Sequence, residues 1–242
     1  MSRLPKAPLL EVIFELRWNI TQLSDFAKYE YLHGDIYNDL KQSYPERENL
    51  VPPGTPPQIL VNNPMYRFRR EPKGYPLIQV GPGVITLNTI DAKYDWKSYY
   101  EMCQTLIQTA IKLNPLSVGQ YYSPNLIYID FFKLDFRSQD AISFLNQNLK
   151  INFGQSFYKN KSFPTAITSG FSYETEHGLL NVLLSEGKNE KQESGLVIKT
   201  QVSGPQQEPR ADAILGWLDG AHEFCSTLFE DMTKGQLFES FK

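Results

Sequence analysis

Glu11, Glu15 and Arg17 lie in a stretch where polar and apolar residues alternate. A period of two puts all three on one face of a strand, with Ile13 between the two carboxylates. Two carboxylates beside an arginine can serve general acid–base chemistry if a pocket shifts their pKa values. On an open sheet face the same row makes cross-strand charge pairs. His222 is the fourth candidate catalytic group. It stands three residues before Cys225, so the two can share a helix face. That pair is weak evidence for a metal, because His222-Glu223-Phe224-Cys225 lacks the second histidine of the helical zinc motif. Cys103 and Cys225 both fall on apolar stripes, where a thiol reads as core rather than as a nucleophile. Gly81-Pro82-Gly83 lacks a following helix and a phosphate-binding lysine, so it reads as a hairpin turn. No cofactor and no metal site are expected.

Binding candidates come from charge and bulk. Arg67, Arg69, Arg70 and Lys73 form the densest basic run, suited to a phosphate, an acidic partner or RNA. The whole chain argues against a dedicated nucleic-acid protein, with 24 Lys plus Arg against 27 Asp plus Glu and a net charge of -3. Trp217, Phe224 and Phe229 are bulky positions on a terminal amphipathic helix and are candidate anchors for a protein partner or a second copy.

The elements that must position these residues follow from periodicity. Val12, Phe14, Leu16 and Trp18 form the apolar face of the first strand. Ser24 can cap a helix reaching about Gln42. The prolines between 45 and 64 predict a long surface crossing without a regular helix or a central strand. Strands follow at 65–70, 76–80 and 84–89. Asp95 can cap a helix over 96–113, which Asn114-Pro115 ends. A strand run at 118–133 opens the second half. A short helix follows, with Ser138 as its cap, and then a polar stretch containing Gly154, Asn160 and Pro164. Strands are expected at 166–175, 179–185 and 195–203. His177-Gly178 is a turn, and 187–194 is an exposed loop. The last helix covers about 211–232. The order strand–helix–strands–helix therefore occurs twice. This predicts an α+β fold of antiparallel sheets with packed helices, in two pseudo-repeated units (1–116 and 117–242) coupled as one globular body. No apolar run approaches the roughly 20 residues of a membrane span. The early Arg3 and Lys6 are not followed by the apolar run of a signal peptide. A cytoplasmic location is expected.

The segment Pro8-Leu-Leu-Glu-Val-Ile-Phe-Glu-Leu-Arg-Trp18 resembles the opening of a sporadically distributed bacterial protein family of roughly this length. Tyr66-Arg-Phe-Arg-Arg70, the run Pro76 to Asn88, and Tyr94-Asp-Trp96 are similar to its central pattern. Leu218-Asp-Gly-Ala-His-Glu223 with Leu228-Phe229 looks like its closing helix. Gly119-Gln-Tyr-Tyr-Ser-Pro124 departs from the family's more regular strand. The resemblance implies a bacterial or archaeal source, and its sporadic distribution is compatible with defence or toxin–antitoxin gene sets. It implies no reaction, cofactor or catalytic residue. The expected function is a non-enzymatic binding or accessory protein. The alternatives are a small-molecule enzyme using the carboxylate–arginine row with His222, and nucleic-acid binding through Arg67–Lys73.

Overall fold

The computed structural model describes residues 4–20, 23–90, 92, 94–136, 141–154 and 164–242. The first half runs β1 (Leu9–Trp18), α1 (Leu23–Leu40), β2 (Glu46–Asn49), β3 (Tyr66–Arg69), β4 (Leu77–Gly81), β5 (Val84–Ile90) and α2 (Trp96–Leu113). The second runs β6 (Tyr122–Lys133), α3 (Ala141–Asn148), β7 (Thr168–Thr175), β8 (Gly178–Lys188), β9 (Ser194–Ser203) and α4 (Ala211–Thr233), with a last turn, α5 (Gln236–Glu239). The fold is α+β. All described strands join one antiparallel sheet in the order β2-β3-β4-β5-β1-β6-β9-β8-β7.

That order is nearly symmetric about its centre. In each half the first strand pairs with the last strand of the meander that follows, β1 with β5 and β6 with β9. The two first strands then pair with each other, from Leu9 opposite Asp130 to Trp18 opposite Tyr122. The chain passes from one half to the other after Asn114, which ends α2.

The helices are segregated on one face. Val12, Phe14, Leu16, Ile85, Leu87 and Leu126 belong to a single buried cluster with residues of α1, α2, α3 and α4. Leu77, Val84 and Ile127 are also buried, yet they stand outside that cluster, on the opposite face. Two sequence features anchor the helix layer. The Asp95 carboxylate accepts from the Ser98 amide at 3.0 Å and starts α2, a capping bond worth about 1 kcal/mol. One turn on, the Tyr99 hydroxyl donates to the Leu87 carbonyl at 2.8 Å and ties α2 to β5.

The structure differs from the sequence expectations in a few places. The proline-rich crossing contains β2, an edge strand of Glu-Arg-Glu-Asn, and a short 3-10 turn over Pro57–Leu60. Edge position reconciles a strand with such polar residues, because neither face needs burial. Helix α1 starts at Leu23, so Ser24 sits inside it rather than at its cap. The expected exposed loop at 187–194 is shorter, since β8 extends to Lys188 and β9 starts at Ser194. Ser138 and Asn160 lie outside the described residues. Among the described helices none is long and apolar enough to cross a membrane.

Candidate functional site

The predicted polar row of β1 lies on the face away from the helices. Ile13 pairs with Ile127 there, while Phe14 pairs with Leu126 on the helix side. The Glu11 carboxylate accepts from the Asn88 amide at 2.9 Å, and Thr86 donates to Asn88 at 2.6 Å. Burial raises the Glu11 carboxyl above its ordinary value, opposed by the Asn88 bond and by Arg67. Arg17 pairs with Glu15 at 2.9 Å. Three strands away Arg67 and Arg69 occupy the same face. Glu48 on β2 accepts from both, at 3.3 and 2.9 Å. Arg69 also donates to the Gly74 carbonyl at 2.7 Å. With its amide oriented to accept, Gln79 takes two bonds from Arg67 at 3.0 and 2.9 Å.

The basic run is therefore not one patch. Arg67 and Arg69 are engaged within the sheet. Arg70 turns the other way, over the Tyr44 ring at 5.4 Å and onto the Met102 sulfur at 3.4 Å. Lys73 sits at a turn with φ +59°. The proposed union of Glu11, Glu15 and Arg17 with His222 also fails, because His222 belongs to the helix side. The anchors on α4 turn inward as well. Trp217 is buried and its indole donates to the His177 carbonyl at 2.8 Å. Phe224 packs on the His177 ring, and Phe229 on the rings of Phe238 and Phe241.

A cavity of about 140 Å³ lies between the helix side of the sheet and the helices. Helix α4 presents His222, Cys225, Ser226 and Phe229 to it. Their spacing of three, four and seven is one helical face. Tyr94 and Trp96 enter from the start of α2, Tyr128 and Asp130 from β6, and Thr200 from β9. The N-terminal segment closes one side with Leu4, Ala7, Pro8 and Leu9.

His222 is held on two sides. Its ring stacks on Trp96 with centroids 3.6 Å apart and planes 13° from parallel. Its Nδ1 is 2.7 Å from the Tyr128 hydroxyl, which is 3.0 Å from the Tyr94 hydroxyl. Burial, reinforced by the positive charge of the amino terminus, pushes the imidazole down to about 4, only partly offset by the charge of Asp219. It is therefore neutral at pH 7. Burial raises both tyrosines above their ordinary value and drives the Cys225 thiol up to about 12, with the charge of Asp130 adding to the last.

Asp130 is the unusual member. It is only 5% exposed, and burial alone lifts its carboxyl to about 7. Among the described residues no donor or cation bonds its side chain. A buried carboxylate ordinarily has both. Sequence reading places the surrounding run in a strand and passes over this residue. The signal is present: alternation puts Leu126, Tyr128, Asp130 and Phe132 on one face, so Asp130 is a charge at a position whose neighbours face the core. Among the described residues no group of three or more His, Cys, Asp or Glu side chains is placed to hold a metal ion.

Set against known proteins, the chain matches no family model, no curated protein and no solved structure.

Proposed function

We propose that the protein is a binding protein whose ligand is a small, mainly apolar molecule held between the sheet and helices α2 and α4. The observation that carries this reading is Asp130, an unpartnered buried carboxylate lining a cavity otherwise walled mostly by aromatic and aliphatic groups. An apolar enclosure with one or two polar groups that fix orientation is the usual build of a small-molecule site. A polar group left unbonded in such a wall costs stability, and a partner that satisfies it recovers that cost. At a water's liquid share of about 30 Å³ the volume matches about five waters, which suits a ligand of one or two rings.

The cavity and Asp130 support the binding or accessory role expected from the scarcity of histidines, the core reading of both cysteines and the lack of a catalytic motif. The carboxylate–arginine row and the Arg67–Lys73 run are the weaker sites, since Glu11, Glu15, Arg17, Arg67 and Arg69 already have partners. A place among bacterial defence or toxin–antitoxin proteins remains part of this proposal on the resemblance alone, and a protein partner or second copy on the bulky stripe of α4 and the commonness of symmetric pairs.

Indole, a neutral two-ring probe, tests the cavity. It should shift the ring resonances of Trp96, Tyr128 and His222. Ser226→Trp, which fills the cavity from α4, should abolish those shifts while leaving the folded spectrum otherwise intact. Indole shifts that persist in Ser226→Trp, or that never appear at those rings, would sink the reading.

A further inference from the structure

We propose that the natural ligand is a hydrophobic monoamine, with its ammonium group seated on Asp130 and its apolar body against Tyr94, Tyr128 and Phe229. This rests on the cavity reading above and adds the chemical class.

The argument concerns charge and hydrogen-bonding capacity. An ionised carboxylate can accept several hydrogen bonds, and the described fold supplies Asp130 with none. Aspartate in such a place ionises at a cost unless a cation meets it. No lysine or arginine is among the described residues lining the cavity. His222 cannot serve, since burial holds its imidazole neutral. The other titratable groups facing the cavity are Tyr94, Tyr128 and Cys225, all neutral at pH 7 because burial raises them. Asp95 is engaged in capping α2. The described lining therefore holds two carboxyl groups and no cationic side chain, and the amino-terminal charge that acts on His222 does not act on Asp130, which disfavours an anionic ligand. The aromatic walls add a second preference. The negative face of a ring attracts a cation, and the attraction grows where water is excluded.

A neutral ligand accepting a bond from protonated Asp130 would fit the same walls. Proton traffic separates the two cases. Below pH 7 much of Asp130 is protonated. An ammonium must expel that proton, whereas a neutral acceptor must keep it. Amine affinity should therefore rise with pH up to about 7 and then level off.

The test uses three probes on the intact chain: 2-phenylethylamine, its near-isostere 2-phenylethanol, and phenylacetate. Calorimetry at pH 6 in two buffers of different ionisation enthalpy reads affinity and proton release together. The expected result is that the amine binds at least about tenfold tighter than the alcohol. It should release close to one proton, and its affinity should fall about twentyfold between pH 7.5 and 5.5. Asp130→Asn should erase the preference for the amine but keep alcohol binding. The proton release needs only the natural protein, so the test survives a variant that folds poorly. Equal binding of amine and alcohol, tighter binding of phenylacetate, or amine binding without proton release would overturn the inference while indole binding kept the cavity reading intact. Failure of all three probes and of indole would remove the cavity reading and the inference with it.

Discussion

Replacing Asp130 with asparagine should change how stability depends on pH, in a direction that burial dictates. In the unfolded chain the carboxyl has an ordinary value near 3.8, and in the fold it titrates at about 7. An acid raised by folding holds its proton more tightly in the native state. The native state therefore binds more protons between those two values, and stability falls as pH rises through the window. The penalty is absent below about pH 4 and complete above about pH 8. The interval of roughly three pH units corresponds to about 4 kcal/mol at most, and water reaching the cavity reduces it. An asparagine side chain has the same shape and never ionises. The variant should thus gain about 2–4 kcal/mol relative to the natural protein between pH 4 and pH 8. His222 titrates in the opposite sense. Its folded value lies near 4, below the ordinary 6.5, so it removes stability as pH falls through that range. Both proteins carry it, and it cancels in their difference. Urea unfolding of the pair at half-unit pH steps measures that difference. A difference that varies by less than about 1 kcal/mol across the range would refute a buried, unpartnered Asp130.

Other perturbations test neighbouring parts of the structure. His222→Ala should cost about 1–3 kcal/mol at pH 7 through the lost Trp96 stack and the stranded Tyr128 hydroxyl, and should flatten the acid side of the stability profile between pH 6.5 and 4; denaturation at both pH values reads this. Tyr99→Phe leaves the Leu87 carbonyl without its side-chain donor and should lower stability by about 1–2 kcal/mol in the same assay. Gly81→Ala drives a methyl group into the Asn63 backbone carbonyl and should cost about 1–3 kcal/mol or prevent folding, seen as lost soluble yield or a lowered melting temperature. Cys225, with its thiol pushed up to about 12, should react with a disulfide reagent at pH 8 on the order of a thousandfold more slowly than an exposed cysteine, and denaturant should restore the ordinary rate.

Much of the scaffold was readable because alternation and helical spacing are local. Phe14 and Leu16 are completely buried where period two placed them, and the Asp95 cap and the Gly81–Gly83 turn lie where residue chemistry put them. β2 was missed because Glu-Arg-Glu-Asn has no apolar face, and an edge strand needs none. The cavity was missed for a different reason. Its walls come from elements far apart in the chain, and each wall residue has an ordinary explanation within its own element. Tyr128 reads as a strand aromatic, and His222 as a boundary residue of a helix. Only the sheet's pairing of β6 beside β1 and β9, with α4 laid across them, turns these into one site. Trp217, Phe224 and Phe229 are ambiguous for a similar reason, because an amphipathic stripe looks the same whether it meets a partner or its own sheet.

The central pairing of β1 with β6 has a consequence for how the chain can be divided. Each half completes its own meander, but its first strand keeps one hydrogen-bonding edge that only the other half's first strand satisfies. A cut between 114 and 117 would leave two pieces, each with a long unpaired strand rich in apolar residues, prone to aggregate alone. Made together, the pieces carry each other's missing edge and can close it with native register. The seam that makes the sheet continuous is thus also the natural place to split the molecule into two complementing fragments.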